Sequence, residues 1–125
     1  MHEPFVAAIM VHVPSVADAL AWYQRAFPSG VRSRIAQPEF EFLVVGGTRI
    51  EVVPSDSKVS SGPCGSVVYW RVAQFEEALS HFERIGARLY RGPMQIEGGD
   101  FMYQMQDPWG NCIGLRGPAR PSPNR

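Results

Sequence analysis

The stretch Asp107-Pro108-Trp109-Gly110-Asn111 runs straight into an apolar alternation, Cys112-Ile113-Gly114-Leu115-Arg116, and an earlier segment has the same shape. Gly46-Gly47-Thr48-Arg49-Ile50-Glu51-Val52-Val53 is again a turn followed by alternating apolar residues. With Gly47 set on Gly110, Ile50 falls on Ile113, Glu51 on Gly114 and Val52 on Leu115. A second pair of segments obeys the same rule. Val13 to Arg25 matches Val72 to Arg84, with Val16 on Phe75, Ala19-Leu20 on Ala78-Leu79 and Tyr23 on Phe82. Two matched segments in the same order point to one unit used twice. Each copy reads strand, helix, then hairpin strands, which makes the chain α+β.

Local chemistry sets the elements. Phe5 to Val13 is apolar and bounded by Pro4 and Pro14, and reads as a buried strand. Ser15 caps a helix, and Asp18 suits its positive end. Val16, Ala19, Leu20, Tyr23 and Phe27 then share one helical face, and Pro28 and Gly30 stop the helix. Strands follow over 31–36, 40–45 and 48–53, the last two joined by Gly46-Gly47 as a two-residue hairpin turn. The first module therefore spans about residues 5–54. The Ser-, Pro- and Gly-rich stretch 55–65 reads as a linker. The second module spans about 66–116: a strand over 66–72, a helix over 75–85 with Phe75, Leu79, Phe82 and Ile85 inward, and strands over 87–91, 100–106 and 112–116. Gly86 stops the second helix. The Pro-rich tail, 117–125, is expected to stay mobile.

Composition narrows the function classes. A hydrophobic fraction of 45% is that of a folded domain. The formal net charge is zero, so neither nucleic acid nor an anionic membrane is an expected partner. No apolar run is long enough to cross a bilayer. Met1-His2-Glu3-Pro4 lacks the basic and apolar regions of a secretion signal. Cys64 and Cys112 form no metal spacing and no disulfide framework, so both are read as reduced thiols of a cytoplasmic protein.

Strand alternation sorts side chains into two surfaces. Leu43, Val45, Ile50 and Val52 share a wholly apolar face that should pack on a helix, with Ile9, Val11, Val13, Val68, Trp70, Val72, Ile113 and Leu115 as its continuation. The opposite face carries Phe40, Phe42, Val44, Arg49, Glu51 and Val53, joined by Ala8, Met10, His12, Val67, Tyr69, Arg71, Gly114 and Arg116. An aromatic surface with embedded charges is expected to take a ligand.

Paired βαβββ modules, a Ser-capped first helix and a closing Asp-Pro-x-Gly-Asn before an apolar strand resemble the vicinal oxygen chelate superfamily. That group includes glyoxalase I, bleomycin-resistance proteins, fosfomycin-resistance enzymes and extradiol dioxygenases. The resemblance runs from Phe5 to Arg116. It implies two modules forming a curved, incompletely closed mixed sheet with helices on the outer face, in a homodimer. In metal-dependent members the ligands come from the first and last strand of each module, and alignment carries those positions onto Ala8, Glu51, Val67 and Gly114. Only Glu51 can coordinate. One carboxylate cannot replace three or four ligands, and His12 lies ~13 Å along the strand from Ala8. No metal and no other cofactor is therefore expected.

Candidate residues each carry two roles. Glu51 is an acceptor for a cationic or hydroxyl-bearing ligand, or a general base; alternatively it is the partner of Arg49 or Arg71, or a relic of a lost metal site. Arg49, Arg71 and Arg116 suit an anionic group or are solvated arginines. His12 is a ligand contact or a hydrogen-bonded rim residue. Phe40, Phe42, Tyr69 and Met102 form an aromatic wall for a planar ligand, or pack in the dimer. Gln104 stands three residues before Asp107, where fosfomycin-resistance enzymes place a polar pocket residue. Tyr23 is expected in the core, Trp22 at a boundary or interface, and His81 on an outer helix face. Asp107 reads as turn chemistry, its carboxylate satisfying backbone amides.

The resulting expectation is a metal-free binding protein that sequesters a small, partly aromatic molecule in a dimer cavity, resembling the bleomycin-resistance branch. The zero net charge argues against a cationic drug such as bleomycin itself. A metal-independent lyase or isomerase using Glu51 is the alternative, and a metal-dependent glyoxalase or dioxygenase is a third.

Overall fold

Pro14 and Ser15 separate strand β1 (Ala8–Val13) from helix α1 (Val16–Ala26). Ser15 is extended, and its hydroxyl accepts the Asp18 amide at 3.4 Å, so the first turn starts where a capping residue permits it. This computed structural model describes residues 6–36, 39–63 and 66–118. The chain divides into two units, Met1–Ser61 and Gly62–Arg125.

In the first unit the remaining strands are β2 (Val31–Ala36), β3 (Glu39–Val45) and β4 (Thr48–Pro54), in the order β1-β4-β3-β2. β1 runs parallel to β4, and the rest of the ladder is antiparallel. Gly46 and Gly47 both have positive φ (56° and 83°), the twist a two-residue hairpin needs, and Val45 pairs with Thr48 across it. Helix α1 packs across β3 and β4. Leu43, Val45, Ile50 and Val52 are buried there, as the alternation requires. Trp22 is also buried, at 3% exposure, and meets Tyr23 edge-on with ring centroids 4.9 Å apart. It is a core residue and not the boundary residue its sequence position suggested.

The second unit repeats the plan with β5 (Tyr69–Arg71), α2 (Phe75–Arg84), β6 (Arg88–Gln95), β7 (Asp100–Gln106) and β8 (Cys112–Pro118), ordered β5-β8-β7-β6. The two sheets agree in register as well as in order. Met10 faces Glu51 in the parallel β1–β4 ladder, and Tyr69 faces Gly114 in β5–β8. The alignment of the two halves maps Met10 on Tyr69 and Glu51 on Gly114, so the duplicated sequence folds as a duplicated structure. The architecture is α+β: two modules, each an open four-stranded mixed sheet with one helix on one face.

Several boundaries differ from the sequence reading. β5 is three residues long, although bonds from Gly114 N to Val68 O and from Val72 N to Arg116 O extend its pairing at both ends. Val68 precedes the strand and is exposed instead of facing the helix. β6 runs on to Gln95 through Pro93, which an edge strand tolerates because its outward N–H needs no partner. β8 takes in Gly117 and Pro118, so the expected mobile tail begins with ordered strand; residues 119–125, like Cys64 and the N-terminal residues 1–5 with His2, lie outside the described residues. On α2, Phe75 and Phe82 are buried while Leu79 and Ile85 are half-buried. Gly86, with φ 102°, ends that helix.

The Asp107 turn is structural. Asp107 is 3% exposed, and its Oδ1 accepts the amides of Trp109 (2.9 Å) and Asn111 (2.8 Å). Its Oδ2 accepts the Asn111 side-chain amide at 3.1 Å, and Asn111 Oδ1 in turn accepts Gly62 N at 2.8 Å. One buried carboxylate thereby fixes the β7–β8 turn and the start of the second unit.

Candidate functional site

The helix-free face of each sheet is where the sequence placed the ligand contacts. In the first unit, Phe40 and Phe42 alternate outward from β3 and stack, with centroids 6.0 Å apart. From the neighbouring strand the Arg49 guanidinium carbon lies 3.8 Å from the Phe42 ring centroid, a cation–π contact. The same guanidinium holds Glu51, one pleat further along β4, at 2.9 Å. Glu51 is the more enclosed partner, with 14% of its side chain exposed against 35% for Arg49. Arg49 Nε is buried and donates to nothing; the ring face beneath the guanidinium and the carboxylate at its tip compensate for that orphan. Phe40, Phe42, Arg49 and Glu51 are therefore one packed cluster.

His12 stands at the far end of β1, opposite Val53. It is half-buried, and its carbonyl accepts the Ser61 hydroxyl at 2.6 Å. Nearby, the amides of Val59 and Lys58 hold the Asp56 carboxyl below its ordinary pKa, with the charge of His12 adding to the effect. His12 thus belongs to the rim where the chain leaves the sheet. A separate groove of about 550 Å³ lies between Val16 and Leu20 of α1 and the Arg34, Glu39 and Phe40 region of the β2–β3 hairpin, where Arg34 and Glu39 form an exposed ion pair.

In the second unit the corresponding face has two rows. Tyr69, Gly114 and Gln104 are register partners across β5, β8 and β7. The Tyr69 ring lies over Gly114, and Gln104 Nε2 donates to the Tyr69 hydroxyl at 2.8 Å. Arg71, Arg116 and Met102 form the next row. Asp100, two residues before Met102 on β7, accepts two bonds from Arg71 at 2.6 and 3.5 Å, and Arg116 stands 3.7 Å away as a longer ion pair. The Arg71 hydrogen bond holds the Asp100 carboxyl below its ordinary pKa, and the same bond raises that of Arg71. Sequence reading missed Asp100. Alternation carried one step back from Met102 and Gln104 places it on this face, which was the available signal.

Elsewhere, burial followed by the Asp107 charge pushes the Cys112 thiol up, which keeps it protonated and a poor nucleophile. Burial likewise pushes up the phenol of Tyr103, which is fully enclosed against Phe75.

The donor set does not fit a metal. Ala8 and Glu51 lie on adjacent strands two residues out of register, and Ala8 offers no donor. Gly114 likewise offers none, and the space a closing carboxylate would need there is filled by Tyr69. Val67 is apolar, and Glu51 is engaged by Arg49. Among the described residues no three His, Cys, Asp or Glu side chains group as a metal site. No helix among them is long and apolar enough to cross a membrane.

Comparison with known proteins places this arrangement. Residues 5–115 match the family described as the Glyoxalase/Bleomycin resistance protein/Dioxygenase superfamily. No curated protein matches the chain. Solved structures share its fold. A glyoxalase/bleomycin resistance protein/dioxygenase family enzyme from Burkholderia phytofirmans PsJN superposes with a TM-score of 0.69 at 17% identity, covering 90% of this chain and 97% of that one. A virulence protein from Salmonella typhimurium gives 0.69 at 14% identity, over 94% and 99%. The fosfomycin resistance protein FosX from Listeria monocytogenes, complexed with Mn(II) and sulfate ion, gives 0.72 at 12% identity, over 94% and 92%.

Proposed function

Because the chain belongs to the Glyoxalase/Bleomycin resistance protein/Dioxygenase superfamily, we propose that it binds a small, partly aromatic molecule without a metal, as a cytoplasmic homodimer. Proteins of this family commonly bind small molecules and form dimers. One observation carries the metal-free reading. Of the four positions that hold ligands in metal-dependent members, Ala8, Val67 and Gly114 have no donor, and Glu51 is held by Arg49 at 2.9 Å. FosX is described with Mn(II) and sulfate ion; this chain keeps the fold and lacks the side chains for such a centre.

The binding surface is the helix-free face. Half-buried Phe40, stacked on the buried ring of Phe42 and flanked by the partly exposed Arg49, offers an apolar contact with a cationic edge, suited to an aromatic ring. His12 supplies a polar contact at the end of the same sheet. In the second unit Tyr69, Arg71, Gln104 and Arg116 supply apolar and hydrogen-bonding contacts over the buried side chain of Met102.

A thermal-shift screen of metabolites and antibiotics tests the reading. A ligand at 100 times its Kd stabilises the fold by about 2.7 kcal/mol, which raises Tm by several degrees for a domain of this size. The expected result is a ligand-dependent rise in Tm with no turnover of that ligand. A stoichiometric divalent ion in protein purified without chelator, lost on Glu51→Gln, overturns it.

A further inference from the structure

We infer that the helix-free face of the second unit recognises an anionic oxyacid group on the ligand, a carboxylate or phosphonate, through the guanidinium of Arg116 and the hydroxyl of Tyr69. The inference deepens the small-molecule reading above and rests on it.

Charge on this face does not balance. Asp100 is committed to Arg71, which donates to both of its oxygens, the shorter bond at 2.6 Å. Arg116 reaches the same carboxylate only at 3.7 Å, beyond hydrogen-bond distance, and keeps 35% of its side chain exposed. Two guanidiniums against one carboxylate leave one positive charge in excess. The register neighbours Tyr69, Met102, Gln104 and Gly114 are all neutral and cannot cancel it. Asp100 pins Arg71 and draws Arg116 toward the same spot, which orders both side chains ahead of binding.

Tyr69 supplies direction. A phenol has one hydrogen to give, and its oxygen here already accepts from Gln104 at 2.8 Å. The hydroxyl hydrogen is therefore turned away from Gln104, where it can be given to an acceptor on the ligand. The missing side chain at Gly114 lets the ring lie across the central strand, which fixes the hydroxyl in the row beside Arg116. An oxygen acceptor carrying negative charge satisfies both groups, and the half-buried ring of Tyr69 gives the attached organic part an apolar surface. Gln104 acts here as a positioning residue.

Phenylacetate and benzylphosphonate against the neutral phenylacetamide, titrated calorimetrically into the full chain, form the test. At low salt the anions should bind about tenfold or more tighter than the amide, the scale of one charge-assisted hydrogen bond. Arg116→Gln should erase that preference, so that within this variant the anions bind no tighter than the amide, Arg116→Lys should keep most of it, and Gln104→Leu should weaken the anions less than Tyr69→Phe does. Whichever anion shows the larger preference identifies the head group. If wild type binds amide and anions alike, or Arg116→Gln keeps the preference, anion recognition is wrong and small-molecule binding stands. If no probe binds and no compound of the wider screen raises Tm, both readings fall.

Discussion

Tyr69 occupies the space that a side chain at Gly114 would need: a Cβ built there stands 2.5 Å from ring Cδ1 and 2.7 Å from Cε1. Gly114→Ala must push the ring off the central strand of its sheet. We expect it to cost about 1–3 kcal/mol, the scale of overpacking. In a Tyr69→Ala background the same change should cost much less, so a double-mutant cycle by urea denaturation should show strong coupling. Additive costs would mean that ring and glycine are packed independently. Gly114→Glu alone should likewise bring no metal affinity, because the new carboxylate lacks both room and companions.

Gly117, three residues on, gives a sharper contrast. A Cβ there falls on the backbone carbonyl oxygen of Val72, the residue whose amide bonds Arg116 O. A ring can swing aside; a peptide in a ladder cannot. Gly117→Ala should therefore destabilise more than Gly114→Ala, and Val72→Ala should not rescue it, since the obstacle is main chain. Chemical denaturation of the three variants decides the order.

Asp107→Ala removes the acceptor for two backbone amides and one side-chain amide in a closed turn. Buried donors left without partners each cost about 1–3 kcal/mol, with water entry reducing the sum. A loss of roughly 2–4 kcal/mol is expected, and Asp107→Asn should recover part of it by keeping one acceptor oxygen. Ligand binding, where Tm still permits its measurement, should be unchanged, because Asp107 serves the turn.

How far the sequence could be read follows from which signals are local. Duplication exposed the fold: Glu51 and Gly114, aligned in the two halves, take equivalent places in the structure, opposite Met10 and Tyr69, which the same alignment pairs. Alternation put Arg49 on the Phe42 side of the sheet, where it packs. Pairing choices were less legible. Glu51 had two candidate arginines, and in the folded chain it pairs with Arg49 while Arg71 goes to Asp100. Trp22 was misplaced because burial of a large ring depends on what the sheet leaves open, which helical periodicity does not encode. The end of β6 was missed at Pro93, since only an edge position excuses a proline in a strand.

Asp100 should govern part of the acid response. Its carboxyl titrates below the ordinary value of 3.8, chiefly because Arg71 donates to it in the folded state. A depressed folded pKa means that the carboxylate stabilises the fold fully above the unfolded value, and that this contribution disappears as pH falls through the folded one. Wild type should therefore lose Tm on going from pH 5 to the range below 3.8 more steeply than Asp100→Asn. High salt should flatten the difference, since Arg71 is exposed. Parallel pH profiles for the two proteins would contradict the assignment.

Glu51→Gln separates the binding reading from an acid–base enzyme. The substitution keeps the shape of the side chain and removes its charge. Arg49 then loses its counterion at 2.9 Å but keeps the Phe42 ring at 3.8 Å, so the cluster should hold. Arg49 is about one-third exposed and the pair is partly screened, so we expect a stability loss of about 1 kcal/mol or less. If the protein only binds, a ligand found by thermal shift should still raise the Tm of Glu51→Gln, with Kd altered by a few-fold at most. If the chain is instead a metal-independent lyase or isomerase, a substrate exists whose turnover falls by about 10²–10⁴ in Glu51→Gln, the worth of a general base, while binding persists. Kd and product formation measured on the same ligand, in the same two proteins, distinguish these outcomes. Arg49→Met is the complementary control: it frees Glu51 from its partner without touching the carboxylate, so it should weaken aromatic binding at Phe42 in the first case and shift the pH dependence of turnover in the second.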